Sequence, residues 1–234
     1  MNRWLAFDTS TDVLSLAVAR GEQVWSQTLP GGAQASARLI PAVMDLLAQA
    51  SLPLTALDAI VFGRGPGSFT GLRTACSVAQ GLALGAQRPV LPVDTLLAVA
   101  EEARVQAGSP EALTVLAMLD ARMDEVYSAT YRWSEGGWTA LSPLQVGAPE
   151  QVMVPPGGDV LLAGNVFDAY GARLPTGPRV QALPTAAALL RLAPVLWASG
   201  QAVPAEQAMP LYIRDKVAQT TAEREAQKAQ ASQP

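Results

Sequence analysis

The stretch Val61-Phe62-Gly63-Arg64-Gly65-Pro66-Gly67-Ser68-Phe69-Thr70-Gly71-Leu72-Arg73 constrains the fold more than any other part of the chain. It reads as the end of a buried strand, a glycine-rich loop and the start of a helix, the connection typical of an α/β protein. Glycines at 63, 65, 67 and 71 let the backbone come close to an anion or to another backbone. The loop is not a Walker loop, because the Gly-Lys-Ser/Thr ending is absent, and Pro66 interrupts the spacing of a dinucleotide fingerprint. A tight turn that needs glycine for its shape and an anion-binding loop both fit these residues. The chain has no histidine. That removes the commonest general base and metal ligand, and with them serine–histidine triads and histidine zinc sites.

The elements around this loop repeat. A strand at 3–7 ends in the turn Asp8-Thr9-Ser10-Thr11-Asp12, followed by strands at 13–19 and 23–28. A helix at about 34–50, a strand at 58–62, the glycine loop, a helix at 69–85, a strand at 89–93 and a helix at 95–107 complete a first unit. After Gly108-Ser109-Pro110, a strand at 113–119 ends in Asp120-Ala121-Arg122-Met123-Asp124. A further strand at 125–133 and the turn Glu135-Gly136-Gly137 follow. Strand, acidic turn and hairpin thus occur twice, as expected of a duplicated lobe. The second half is richer in Pro and Gly. It holds a strand at 160–163 and a helix at about 184–199. We expect one lobe over residues 1–107, a smaller one over 108–217, and a disordered tail over 218–234.

Half of the 234 residues are hydrophobic and 15% are charged, enough for a large core. The net charge of −4 lacks the basic footprint of a free-standing nucleic-acid binder. Cys76 is the only cysteine, so no intrachain disulfide forms, which suits a reducing cytoplasm. The apolar run Trp4-Leu5-Ala6-Phe7 is too short for a signal-peptide core, and no stretch reaches the length of a membrane span. A cytoplasmic protein is expected.

Candidate chemistry is sparse. Asp8, Thr9 and Ser10 at a strand end, with Gly65, Gly67 and Ser68 in the loop, are candidates to hold a nucleotide phosphate, or equally a plain turn. Asp120, Asp124 and Glu125 are paired carboxylates that would suit acid–base work or a solvated turn. No metal site stands out. In the helix at 69–85, Gly71, Ala75, Ala79 and Ala83 recur every four residues and give a face with almost no side chain, suited to close packing on the lobe's own sheet or on a partner helix.

The residues from Ile60 to Arg73 closely resemble the signature of the bacterial TsaB (YeaZ) family. Further matches are Leu5-Ala6-Phe7-Asp8-Thr9-Ser10-Thr11, Val93-Asp94-Thr95-Leu96, Leu119–Tyr127 and Pro210-Leu211-Tyr212-Ile213-Arg214, so the resemblance spans about residues 3–217. It implies a two-lobed α/β fold similar to actin, Hsp70 and sugar kinases (the ASKHA fold), with duplicated mixed sheets flanked by helices. It implies a non-catalytic subunit, with no catalytic residue of its own. That subunit pairs with a paralogue, TsaD, and with the ATPase TsaE to add threonylcarbamoyl to adenosine beside the anticodon of tRNA. Contact with tRNA is expected only through the complex. No cofactor is expected for the chain alone, with ATP and Mg²⁺ admitted in the assembly. In TsaD a His-x-x-x-His pair helps hold the metal; a chain without histidine cannot supply it. The family's subunit contact maps onto the helix after the glycine signature, hence onto Phe69, Thr70, Gly71, Leu72, Thr74, Ala75, Val78, Ala79 and Leu82, the same surface serving a homodimer when the partner is absent. One departure is that Gln34-Ala35-Ser36-Ala37 stands before Arg38-Leu39-Ile40-Pro41, where family members often carry a histidine. The family is related to proteins once labelled glycoproteases, and no residue here supports a peptidase. The alternative is an active small-molecule kinase or ATPase of the same fold, using Asp8 or Asp120 for Mg²⁺.

Overall fold

The computed structural model describes residues 2–156 and 158–214. Strands β1 (Arg3–Asp8), β2 (Val13–Arg20) and β3 (Gln23–Pro30) form an antiparallel meander. Helix α1 (Ala35–Gln49) leads to β4 (Ala59–Gly65), which lies parallel to β1. Helix α2 (Phe69–Ala86) then leads to β5 (Val90–Asp94), parallel to β4. The sheet order is β3-β2-β1-β4-β5. β1 and β4 are central and apolar on both faces, which is why they read as unbroken hydrophobic runs rather than alternating ones. Leu5, Phe7, Ile60 and Phe62 meet α1 and α2 on one side, while Trp4, Ala6, Ala59 and Val61 pack on the other.

Helix α3 (Thr95–Gln106) carries the chain to a second meander, β6 (Leu113–Arg122), β7 (Glu125–Ser134) and β8 (Gly137–Ala140). Short β9 (Gln145–Gly147) also pairs with β7. β10 (Val160–Gly164) lies parallel to β6, and β11 (Arg179–Gln181) parallel to β10, giving the order β11-β10-β6-β7-β8. Read from the meander outward, this is the order of the first sheet. The acidic turns correspond in detail. Asp8 Oδ1 accepts from the Ser10 N–H at 2.8 Å, and Asp120 Oδ1 accepts from the Arg122 N–H at 2.9 Å. Both are local turns in which an aspartate caps the amide two residues on.

The second copy is reduced. Where the first has α2, the second has only the single turn α4 (Phe167–Tyr170), in a stretch too rich in Pro and Gly to sustain a helix. Strands β9 and β11 and helix α4, each only three or four residues long, are too short to leave a periodic pattern in the sequence.

Helix α5 (Ala186–Ala198) comes from the second half of the chain but lies on the first sheet. Its Leu189, Leu192 and Ala193 join Trp4, Ala6, Val61 and Leu91. Helix α3 is shared: Ala98 packs toward the first sheet, and Leu96, Val99 and Ala103 toward the second. A boundary at 107/108 therefore separates the strands of the two sheets, while α5 crosses it. The expected tail at 218–234 lies outside the described residues.

Glu101 on α3 fastens this junction and is 2% exposed. It accepts hydrogen bonds from Arg104 at 2.9 Å, from the Trp138 indole N–H at 3.0 Å and from Arg191 on α5 at 2.9 Å. Burial alone would push this carboxyl up, but the bonds from Arg104, Trp138 and Arg191 outweigh it and hold it below its ordinary value. Glu101→Leu leaves Arg104 without its carboxylate and Arg191 with Glu102 alone, and is expected to cost about 2–3 kcal/mol, read as a lower urea midpoint at pH 7. The folded value is the depressed one. The contribution is therefore present above the unfolded value of about 4.3 and lost as pH falls through the folded one.

Candidate functional site

The glycine loop is moulded onto the β1–β2 turn. A Cβ on Gly63 would lie 1.7 Å from Asp8 Oδ2, and one on Gly71 would lie 1.9 Å from the Thr9 carbonyl oxygen. Glycine is required because two pieces of chain touch. The polar groups of this corner bond to one another. The Thr9 hydroxyl donates to the Gly71 carbonyl at 2.7 Å, and the Ser68 N–H to the Ser10 carbonyl at 2.8 Å. Both the N–H and the hydroxyl of Ser10 donate to Asp8 Oδ1, at 2.8 and 2.6 Å. The Gly65 N–H donates to Thr95 Oγ1 at 3.0 Å. Asp8 is wholly buried, and its Oδ2 has no hydrogen-bond partner among the described residues. Burial pushes its carboxyl up to about 6 against the opposing bonds from Ser10.

Of the six residues proposed to meet a phosphate, Ser10, Gly67 and Ser68 line the cleft between the lobes, whereas Asp8, Thr9 and Gly65 are buried behind it. The cleft has a volume of about 250 Å³. The two equivalent acidic turns face each other across it. Arg122 spans them, donating to Asp12 at 2.7 Å and to Asp120 at 3.0 Å. Asp120 also accepts from the Tyr170 hydroxyl at 2.8 Å. Asp124 pairs with Arg173, and Glu125 with Arg214. All three carboxylates considered for acid–base work thus sit against arginines. Arg122, Met123 and Asp124 have φ of 58°, 55° and 62°, three consecutive left-handed residues without a glycine. Such backbone costs of order 1–3 kcal/mol per residue, and here it aims Arg122 across the cleft.

A strap, residues 208–214, closes one side of the cleft. The Ala208 carbonyl accepts from Cys76 Sγ at 3.3 Å and from Gln80 at 2.8 Å. The Leu211 N–H donates to the Arg64 carbonyl at 2.7 Å, and Tyr212 stacks on Phe69 with ring centroids 5.3 Å apart. Cys76 is buried, and burial pushes its thiol up, so it is a packed residue. The strap's role was not visible in the sequence. Its signal there is the family match Pro210-Leu211-Tyr212-Ile213-Arg214, which says nothing of where the segment packs.

Helix α2 needs a correction. Gly71, Leu72, Ala75 and Ala79, four of the nine residues expected at a subunit contact, are turned into the chain's own core and are at most 1% exposed where apolar. The small-residue face exists to let α2 lie close on β4, and a partner cannot reach it. Phe69 and Thr70 are exposed, and Thr74, Val78 and Leu82 are half-buried. The outward stripe is a second small-residue face, Thr70, Thr74, Ser77, Gly81 and Gly85. The Thr74 and Ser77 hydroxyls donate back to helix carbonyls at 3.0 and 3.2 Å, so the stripe offers few free donors. A Cβ at Gly81 or Gly85 would meet nothing within 4 Å. Leu84 on α2 is 62% exposed, and Ile40 and Met44 on neighbouring α1 are 48% and 51% exposed.

The duplicated sheets, the shared helix and the inter-lobe cleft define a two-lobed α/β protein of the class that includes actin, Hsp70 and sugar kinases. A family model described as "TsaD: tRNA N6-adenosine threonylcarbamoyltransferase" matches residues 28–230. The chain is 37% identical to the tRNA threonylcarbamoyladenosine biosynthesis protein TsaB of Escherichia coli K12, over 92% of this chain and 96% of that protein. It is also 37% identical to TsaB of Haemophilus influenzae, over 91% of this chain and 94% of that protein. The solved structure of YeaZ from Pseudomonas aeruginosa superposes with a TM-score of 0.84 at 43% identity, covering 91% of this chain and all of that one. The chain belongs to the TsaB (YeaZ) family, whose named members are tRNA threonylcarbamoyladenosine biosynthesis proteins. Among the described residues no helix is long and apolar enough to cross a membrane.

Proposed function

We propose that this chain is a non-catalytic subunit that activates a histidine-bearing catalytic paralogue, TsaD, in the threonylcarbamoylation of tRNA. The observation that carries the reading is the outer face of α2. Gly81 and Gly85 each cost a helix about 1 kcal/mol relative to alanine, yet among the described residues nothing lies within 4 Å of a Cβ built on either. With Leu84 exposed on the same helix and Ile40 and Met44 exposed on adjoining α1, they offer a low surface with exposed apolar residues on which the helices of a partner can come close. A contact of ordinary size there would bury ~1,600 Å² in total. The cleft supports a non-catalytic role, since its carboxylates are paired with arginines and Asp8 is turned onto Gly63 rather than toward the cleft. In this reading TsaE and tRNA meet the chain only within the complex, ATP and Mg²⁺ act in the assembly, and the chain alone forms a homodimer through the same face. The site of action is the cytoplasm.

Light scattering on this chain mixed with its paralogue tests the reading. The natural chain is expected to form a one-to-one heterodimer. Gly81→Trp, which has open space around it, is expected to keep its melting temperature within a few degrees and to fail to pair. Pairing of Gly81→Trp at undiminished affinity would overturn the proposed surface.

A further inference from the structure

Each sheet has two edges, and three of the four are guarded. β5 carries Pro92 in its middle and is bridged by Val203, whose N–H and carbonyl exchange hydrogen bonds of 2.9 Å with Val90. β8 and β11 are only four and three residues long. β3 is different. It is eight residues long and pairs with β2 over its whole length without a bulge. Its sequence, Gln23-Val24-Trp25-Ser26-Gln27-Thr28-Leu29-Pro30, carries no charge, and its one proline is its last residue. Among the described residues β2 is its only strand partner. Charges, bulges, prolines and short length keep an open edge from pairing with another chain, and β3 has none of them before Pro30.

The hairpin that leads into β3 fixes which backbone groups are free. Arg20 pairs with Gln23 across the two-residue turn Gly21-Glu22, so Gln23 bonds toward β2, and by alternation Trp25, Gln27 and Leu29 do too. The N–H and carbonyl groups of Val24, Ser26 and Thr28 point outward. Pro30, which has no N–H, falls in the outward set, where β2 needs none. The side chains of Val24, Ser26 and Thr28 are exposed, whereas Trp25 and Leu29 pack on the core that α1 covers.

We propose that β3 is a self-pairing edge, to which a second copy of this chain adds its own β3 antiparallel about a two-fold axis at Ser26, joining the two first sheets into one. The strand fits itself. Ser26 lies opposite Ser26 of the second copy, and Val24 opposite Thr28 of the second copy, so all three outward residues exchange bonds. Shifted by two residues, Val24 would face Pro30, which has no N–H to give, or Thr28 would face Glu22 in the turn. The chosen register sets a β-branched pair on either side of the axis and opposes no two charges. It also keeps Trp25 and Leu29 of both copies on the side of α1. The edge lies away from α2, which packs on β4, and the inference does not rest on the proposed function.

The test uses the full chain with Gly81→Trp, which blocks the outer face of α2, as background. If that face plays no part, the background is harmless. Sedimentation is expected to show a concentration-dependent dimer. Ser26→Lys sets two ammonium groups on the axis and is expected to return the chain to monomer at an unchanged melting temperature. Oxidative crosslinking reads the register. Ser26→Cys brings two Cα atoms to about 5.5 Å in a hydrogen-bonded pair, within the ~4.4–6.8 Å that a disulfide spans, and is expected to crosslink. Val24→Cys lies roughly 14 Å from its own copy, at about 3.4 Å per residue, and is expected to crosslink only when mixed with Thr28→Cys. Cys76 is buried and does not compete. A monomer at every concentration, a dimer unmoved by Ser26→Lys, or equal crosslinking by Val24→Cys and Ser26→Cys would each overturn the proposal; the last would point to a foreign peptide or another face.

Discussion

Gly71→Ala destabilises the chain by about 3 kcal/mol, while Gly81→Ala, ten residues further along the same helix, stabilises it by up to about 1 kcal/mol. The opposite signs follow from what each new methyl meets. At Gly71 the Cβ arrives 1.9 Å from the Thr9 carbonyl oxygen. That oxygen belongs to backbone, and the Thr9 hydroxyl pins the same turn to the Gly71 carbonyl at 2.7 Å. Relief requires moving α2 off the sheet and breaking the joint between the glycine loop and the β1–β2 turn. At Gly81 the Cβ enters open space, so the helix gains only the entropy glycine forfeits. Urea midpoints at pH 7, taken at a protein concentration low enough to keep the chain monomeric, measure both. A neutral Gly71→Ala would show that the close approach is not needed. A destabilising Gly81→Ala in the monomer would show that α2 makes an outward contact within the isolated chain. The stabilised Gly81→Ala is also expected to bind the paralogue more weakly than the natural chain, since the same methyl thickens the proposed docking face.

The chain becomes more stable as the pH is lowered from 7.5 to 5, and Asp8→Asn removes most of that gain. Asp8 is wholly buried, with one oxygen accepting from Ser10 and the other unpartnered among the described residues. Its carboxyl has a folded value near 6 against 3.8 when unfolded. Between those values the folded chain holds a proton that the unfolded chain has released, so unfolding becomes easier as pH rises through this window. A shift of about two units corresponds to a penalty of about 3 kcal/mol, in full force above pH 6 and absent below about pH 4. Glu101 and Asp58 act in the opposite sense, because their folded values are depressed. Their stabilisation is lost as pH falls below about 4. The two effects together place maximum stability near pH 5. Asn at position 8 keeps an oxygen for Ser10 but cannot titrate. Melting curves between pH 4 and 8 decide the matter: parallel profiles for the natural chain and Asp8→Asn would remove Asp8 as the cause.

Much of the fold was legible because its strands and helices carry strong local signals. The apolar runs of β1 and β4, the 3.6-residue spacing of α1 and the paired acidic turns announced two similar lobes. Local pattern could not announce the route of α5. Leu189 and Leu192 read the same whether they pack on the second sheet or return to the first, because periodicity reports that a face is buried and not what buries it. The same limit governed α2. Its alanine stripe fits a partner helix and close packing on the lobe's own sheet alike, since both need small residues. The outward glycines were distinguishable only once burial showed which face each stripe occupied. At the glycine loop, the sequence could not separate a phosphate cradle from a joint between two backbones. The positions of Thr9 and Asp8 against Gly71 and Gly63 account for those two glycines as a joint, while Gly67 and Ser68 still line the cleft.

The return of α5 also sets an order for synthesis. The strands of the first sheet are all made by Asp94, and Ala98 of α3 soon covers part of the face formed by Trp4, Ala6, Val61 and Leu91, but the rest is covered only once Ala186–Ala198 has been made. A nascent chain leaving the ribosome therefore carries a partly open apolar sheet face through the making of the whole second meander. Long-range closure of this kind slows folding and exposes surface to aggregation and to chaperones. The two lobes are copies in topology, but they are one folding unit in time, completed from the C-terminal side.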